Sequence, residues 1–292
     1  MINKILMTSL VVILFGIPGL SQAIEPSLTL GPGKIEVELI PGGQITKNIF
    51  VTNNLGREAI FDLSFEDIEA LPAKDGGVKF LGQATGQFSL KNYLNVPEQS
   101  FVLANGEKKT IPVTVTLPNQ APVGSLHGAI LLTPRVSNQS AGPQTRPRLG
   151  LLVFVKVAGE RQESGSLVGF TKDHFIYVGS QSAIFSLLFK NQGNTYVNPY
   201  GLITLKPLFW GATKNLVIKP WFVLPQSSRS RALIAPKLGA GIYQAELKLN
   251  RGYNNIIDSQ RVWFVVISWP VLLLIIILGL LGSGVVYRFM IK

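Results

Sequence analysis

Residues that could do chemistry are sparse in this chain of 292. His127 and His174 are its two histidines, and neither lies in a metal-binding spacing such as H-E-x-x-H. Cysteine is absent, which excludes a thiol nucleophile and disulfides. Gly165-Ser166-Leu167-Val168-Gly169 puts its serine one place too early for a nucleophile elbow, and no G-x-x-x-x-G-K-[ST] phosphate loop occurs. Glu66, Asp67, Glu69 and Asp75 form one acidic cluster. It could serve calcium or a glycosidase pair, but it lacks the EF-hand pattern and reads more simply as a solvated strand end. The chain is therefore expected to be no enzyme and to hold no cofactor or metal.

Binding chemistry has better candidates. Phe209-Trp210 and Trp221-Phe222 flank Gly211 to Asn215, which read as a hairpin tip with Lys206, Lys214 and Lys219 nearby. Aromatics beside cations suit glycan rings or a lipid interface, whereas cross-strand packing would bury them. Arg229, Arg231 and Lys237 precede a glycine corner at Gly239 to Gly241. The polar stretch Ser137 to Arg148, containing Arg146 and Arg148, is a candidate binding loop. Charge is uneven within the net +11: residues 24–160 carry 12 basic and 12 acidic groups, residues 161–268 carry 12 and 4, a surplus of 12 − 4 = +8. Such a surplus suits anionic lipid or wall polymer. Nucleic acid is set aside because these residues are expected to face an extracellular space.

That expectation comes from the two ends. Lys4, the apolar run Ile5 to Leu20 and Ser21-Gln22-Ala23 have the layout of a cleavable secretory signal, residues 1–23. Residues 269–287 carry no charge and are flanked by Trp269, Tyr287 and Arg288, which predicts a single transmembrane helix with those residues at the interface. A cytoplasmic tail, 288–292, follows. The reading is a single-pass type I protein of the cell membrane with an extracellular ectodomain.

The elements between are β throughout. Thr46 to Thr52, Ile60 to Phe65, Thr110 to Leu117, Leu149 to Val157, Ala183 to Phe189 and Ala245 to Leu249 are rich in β-branched and aromatic residues, and Gly, Pro and Asn clusters punctuate them. Two halves repeat one plan: a strand ending at an Asn turn (Asn53; Asn191), a polar-to-apolar strand, then a Gly corner (Gly124; Gly239 to Gly241) into a hairpin strand. Each reads as one β-sandwich, residues 24–160 and 161–268, with Leu149 to Val157 corresponding to Arg261 to Ile267 and a linker over Glu160 to Gly169.

Ile40-Pro41-Gly42-Gly43 leading to Val51-Thr52-Asn53, Asn105-Gly106-Glu107 before Val113-Thr114-Val115, and Pro122-Val123-Gly124 before Gly128-Ala129-Ile130 resemble the peptidoglycan-binding domain of WxL-interacting proteins. More distantly, the pattern is similar to the two-sandwich periplasmic pilus chaperones. The first resemblance implies immunoglobulin-like sandwiches and binding to peptidoglycan or another envelope polymer, or to a surface protein. The second implies an assembly factor that holds a secreted subunit by adding a strand to its sheet. A vacant groove or unpaired edge strand is the feature that would favour it.

Overall fold

The computed structural model describes residues 27–72, 77–135, 148–179 and 181–290, with side chains as far as Ser283. Residues 1–26 lie outside this set, and with them the expected signal. Eighteen strands follow in chain order: β1 (Ser27–Gly31), β2 (Lys34–Leu39), β3 (Gln44–Asn54), β4 (Ala59–Ala70), β5 (Val78–Phe80), β6 (Leu94–Asn95), β7 (Ser100–Leu103), β8 (Lys108–Thr116), β9 (Gly124–Arg135), β10 (Leu149–Val157), β11 (Gly165–Lys172), β12 (Ile176–Val178), β13 (Ile184–Asn191), β14 (Tyr200–Pro207), β15 (Lys214–Ile218), β16 (Ser227–Ile234), β17 (Gly241–Asn250) and β18 (Ile257–Ile267). They form two immunoglobulin-like sandwiches. In the first, β1-β3-β8-β6 faces β2-β10-β9-β4-β5, with β7 also on β4; in the second, β11-β13-β16 faces β12-β18-β17-β14-β15.

Alternation builds each core. In β8, Ile111, Val113 and Val115 point inward and Thr110, Pro112 and Thr116 outward. These meet Phe61, Leu151, Val153 and Val155 from the facing sheet. The second core centres on Phe185, Phe189, Tyr243 and Phe264; Tyr243 stacks on Phe264 with centroids 5.4 Å apart.

The repeat seen in the sequence has a physical basis. Asn53, ending β3, donates from Nδ2 to the carbonyls of Arg57, Leu103 and Ala104 and accepts from the Leu55 N–H. Asn191, ending β13, donates to the Thr195 and Val223 carbonyls and accepts from the Gly193 N–H. Each buried amide thus gives donors to carbonyls around a turn and accepts from a turn N–H. Both sandwiches also divide their first strand: β1 pairs antiparallel with β3 while β2 pairs parallel with β10, and β11 pairs antiparallel with β13 while β12 pairs parallel with β18. Because β11 starts at Gly165, the connection between sandwiches ends earlier than the expected linker.

The last element is α1 (Trp269–Met290). Among the described residues no helix is long and apolar enough to cross a membrane. This corrects the expected span at 269–287, and with it the single-pass type I placement and its cytoplasmic tail; the membrane as partner loses its support. Trp269, expected at a lipid interface, lies over Gly179, where a Cβ would fall 2.3 Å from its Nε1. The side chains of Tyr287 and Arg288 lie outside the described set. Leu273 to Leu278 of α1 are exposed.

Candidate functional site

Most of the basic and aromatic candidates are used up by the fold. Trp221 is 7% exposed and belongs to the second core, so it is corrected from a glycan or lipid contact to a packing residue. Arg229 and Arg231 alternate on one face of β16 with Leu233, which packs on that core. Their guanidinium groups lie over the Phe222 and Trp221 rings, 3.9 and 5.3 Å from the centroids, and donate to the carbonyls of Phe222 and Lys219. Burial lowers the pKa of both, for Arg229 with a further push from Arg231. Lys206 is held 2.6 Å from Glu246, which also meets Arg261 at 3.1 Å; these two donors bring the Glu246 carboxyl down to about 2. Lys214 donates to the Lys237 carbonyl. The β14–β15 tip matches its expected exposure, with Phe209 and Trp210 71% and 78% exposed and their rings 5.8 Å apart; Lys219 and Lys237 are exposed as well.

The acidic cluster is structural. Asp67 is fully buried and accepts from the N–H groups of Gly86, Leu90 and Lys91, pinning the segment after β5 across β4. Glu66 accepts from the Gly82 N–H and pairs with Arg148 at 2.5 Å. Glu69 is exposed, and Asp75 lies outside the described residues. Among those residues no group of three or more His, Cys, Asp or Glu could hold a metal ion.

Arg148 marks a more informative place. Of the candidate loop Ser137 to Arg148, residues 137–147, including Arg146, lie outside the described residues, and Arg148 pairs with Glu66 on β4. Immediately after it, β10 pairs with β9 along its whole length, but with β2 only from Leu152 onward. The cause is the divided first strand, which leaves this sheet at Gly31-Pro32 to run with β3. Leu149, Gly150 and Leu151 therefore have no strand partner on one side among the described residues. Leu151 points into the core and Leu149 packs against it. Gly150 faces outward over Leu131 and Phe80, each 3.2 Å from where its Cβ would be. The strand is legible in the sequence but its open edge is not, because pairing is decided by a strand more than a hundred residues upstream.

The second sandwich seats on the outer face of this same sheet. Phe154 of β10, fully buried, lies 5.0 Å from Tyr196 and 4.9 Å from Phe222 between ring centroids. Ser125 donates its N–H to the Asn194 carbonyl and accepts the Tyr196 N–H at Oγ. Arg161 meets Glu38 at 2.6 Å, and Lys156 lies 4.9 Å from the Tyr196 ring centroid. The open edge thus sits on a sheet whose other face and orientation are fixed.

No family model matches the chain, and no curated protein matches it. Solved structures similar to it include the Escherichia coli chaperone DraB, at 16% identity over 82% of this chain and 97% of that one with a TM-score of 0.39. The class 5 fimbriae chaperone CfaA is 11% identical over 82% and 99%, with a TM-score of 0.40. A chain of the CsuC–CsuE chaperone-tip adhesion subunit pre-assembly complex of Acinetobacter baumannii is 11% identical over 83% and 99%, with a TM-score of 0.38. A likeness at this level assigns no function.

Proposed function

We propose that this protein is a non-enzymatic, extracytoplasmic assembly factor that holds a secreted subunit by strand addition at the open edge of β10. The observation that carries the reading is the stretch Leu149 to Leu151, paired on the β9 side and unpartnered on the other. Unpaired backbone groups on a sheet edge are a template for another strand, and natural folds normally cover or charge them. Here the edge carries no charge, and its Leu149 and Leu151 belong to the core. An extended segment laid against it would gain main-chain hydrogen bonds from the edge and specificity from alternate side chains. A wall-polymer reading loses Trp221, Arg229 and Arg231, which pack internally.

The test places a photo-activated cross-linking side chain at Gly150, with Lys248 on β17 as the control position, in cells making the full chain. The expected result is a secreted protein captured from position 150 through an extended apolar segment, absent from the control. Identical capture from both positions, or attachment through a folded polar surface, would overturn the reading.

A further inference from the structure

A buried titratable group adjoins the contact between the sandwiches. His127, on the outer face of β9, is 3% exposed. Its ring lies between Phe88, at 5.6 Å, and Phe154, at 6.5 Å, and Phe154 is the ring on which Tyr196 and Phe222 of the second sandwich seat. The His127 Nδ1 is buried without a hydrogen-bond partner. Beside it is a cleft of about 220 Å³, walled by Ile68, Phe88 and His127 from the first sandwich and by Leu224, Pro225 and Gln226 from the second.

We propose that His127 is an acid-sensitive latch: as neutral imidazole it permits the closed seat of the second sandwich on Phe154, and on protonation it drives the two sandwiches apart. A charge at this place must be hydrated or paired. Asp67 on β4 faces it, but its oxygens already accept three backbone N–H groups, with Lys91 Nζ at 4.0 Å. Glu66 on the same strand is committed to Arg148, and Glu69 lines the outer cleft. The charged residue of β10 is Lys156, whose Nζ lies 4.0 Å from Glu163. The second sandwich brings Leu224, Pro225, Gln226 and Ser227 to the cleft, none of them charged. Hydration therefore requires the cleft to widen.

Burial holds the His127 pKa down at about 4 from 6.5, against a smaller upward pull from Asp67 and the Ile68 carbonyl. The sign follows: the closed form is fully favoured above the open-form value and loses that advantage as pH falls through the closed-form value. The difference between 6.5 and about 4 shifts the open-to-closed ratio on the order of 100-fold or more.

Because the chain has no cysteine, Lys47→Cys and Lys248→Cys, exposed on different sandwiches, accept spin labels selectively in the full chain. Pulsed dipolar distances are expected to show one population near neutral pH and a second, growing one below about pH 5, while His127→Phe keeps one throughout. The latch is overturned if His127→Phe opens as the parent does, or if the parent stays closed to about pH 4. Should the phenylalanine variant not fold, histidine ring shifts in the parent decide. They are expected to stay unchanged for His127 down to about pH 5.5, and titration near the ordinary imidazole value overturns the proposal.

Discussion

At the scale of single residues, the two asparagines and the paired carboxylates make the firmest predictions. Asn53→Ala removes the side-chain donor from the Arg57, Leu103 and Ala104 carbonyls, and the Asn191→Ala change takes the side-chain donor from the buried Thr195 carbonyl. Each should destabilise its sandwich by about 2–4 kcal/mol, since an unpaired buried backbone group costs about 1–3 kcal/mol; urea unfolding checks this. Glu246, brought down to about 2 by Lys206 and Arg261, contributes stability that is present above its ordinary value of 4.5 and is lost as pH falls between the two. Glu246→Gln should therefore lower the urea midpoint near neutrality and flatten its fall on acidification. An unchanged acid limb would show that the pair contributes nothing. These residues were legible to different degrees: the Asn turns stood out because the same chemistry ends a strand in both halves. The partners of Glu246 did not, because Lys206 and Arg261 come from strands that only the sheet order brings together.

At the scale of elements, β-branched and aromatic enrichment between Gly, Pro and Asn clusters located β3, β8, β10 and β13 to within a few residues, and glycine corners located the starts of β9 and β17. Enrichment did not reveal which aromatic pair faces out. Phe209-Trp210 and Trp221-Phe222 look alike in sequence, yet a tip exposes the first while β16 covers the second with arginine side chains. Truncation separates them: Trp221→Ala should cost about 3–5 kcal/mol and Trp210→Ala under about 0.5 kcal/mol, measured by thermal or urea unfolding. Arg231→Glu should likewise lower stability by removing an aliphatic stem and cation from the Trp221 face. Wild-type stability in that variant would return Arg231 to the solvated surface. A second signal lies in two apolar runs. Ala129 to Leu132 and Leu151 to Val155 are continuous apolar runs, as expected of strands buried on both faces; on the outer one Ile68 and Val78 cover Ala129 and Leu131, and the second sandwich covers Phe154.

For the whole molecule, that covering makes the angle between sandwiches a property of few atoms. Gly124 begins β9 at φ 129°, and a Cβ there would fall 2.4 Å from the Asn194 carbonyl oxygen across the contact. Gly124→Ala should thus shift the relative placement of the sandwiches while leaving each folded, giving a changed small-angle scattering profile with unchanged circular dichroism. An unaltered profile would mean the contact absorbs a methyl group. The divided first strands have a mechanical meaning. In each sandwich the early strand that pairs parallel with the last one, β2 with β10 and β12 with β18, lies near the points where the chain enters and leaves. Tension applied to the two ends of a sandwich then loads that parallel patch lengthwise, straining its slanted hydrogen bonds together instead of peeling them one by one. A protein stretched between a fixed point and a moving load would give way there last, and the short β12–β18 patch would yield before the longer β2–β10 one.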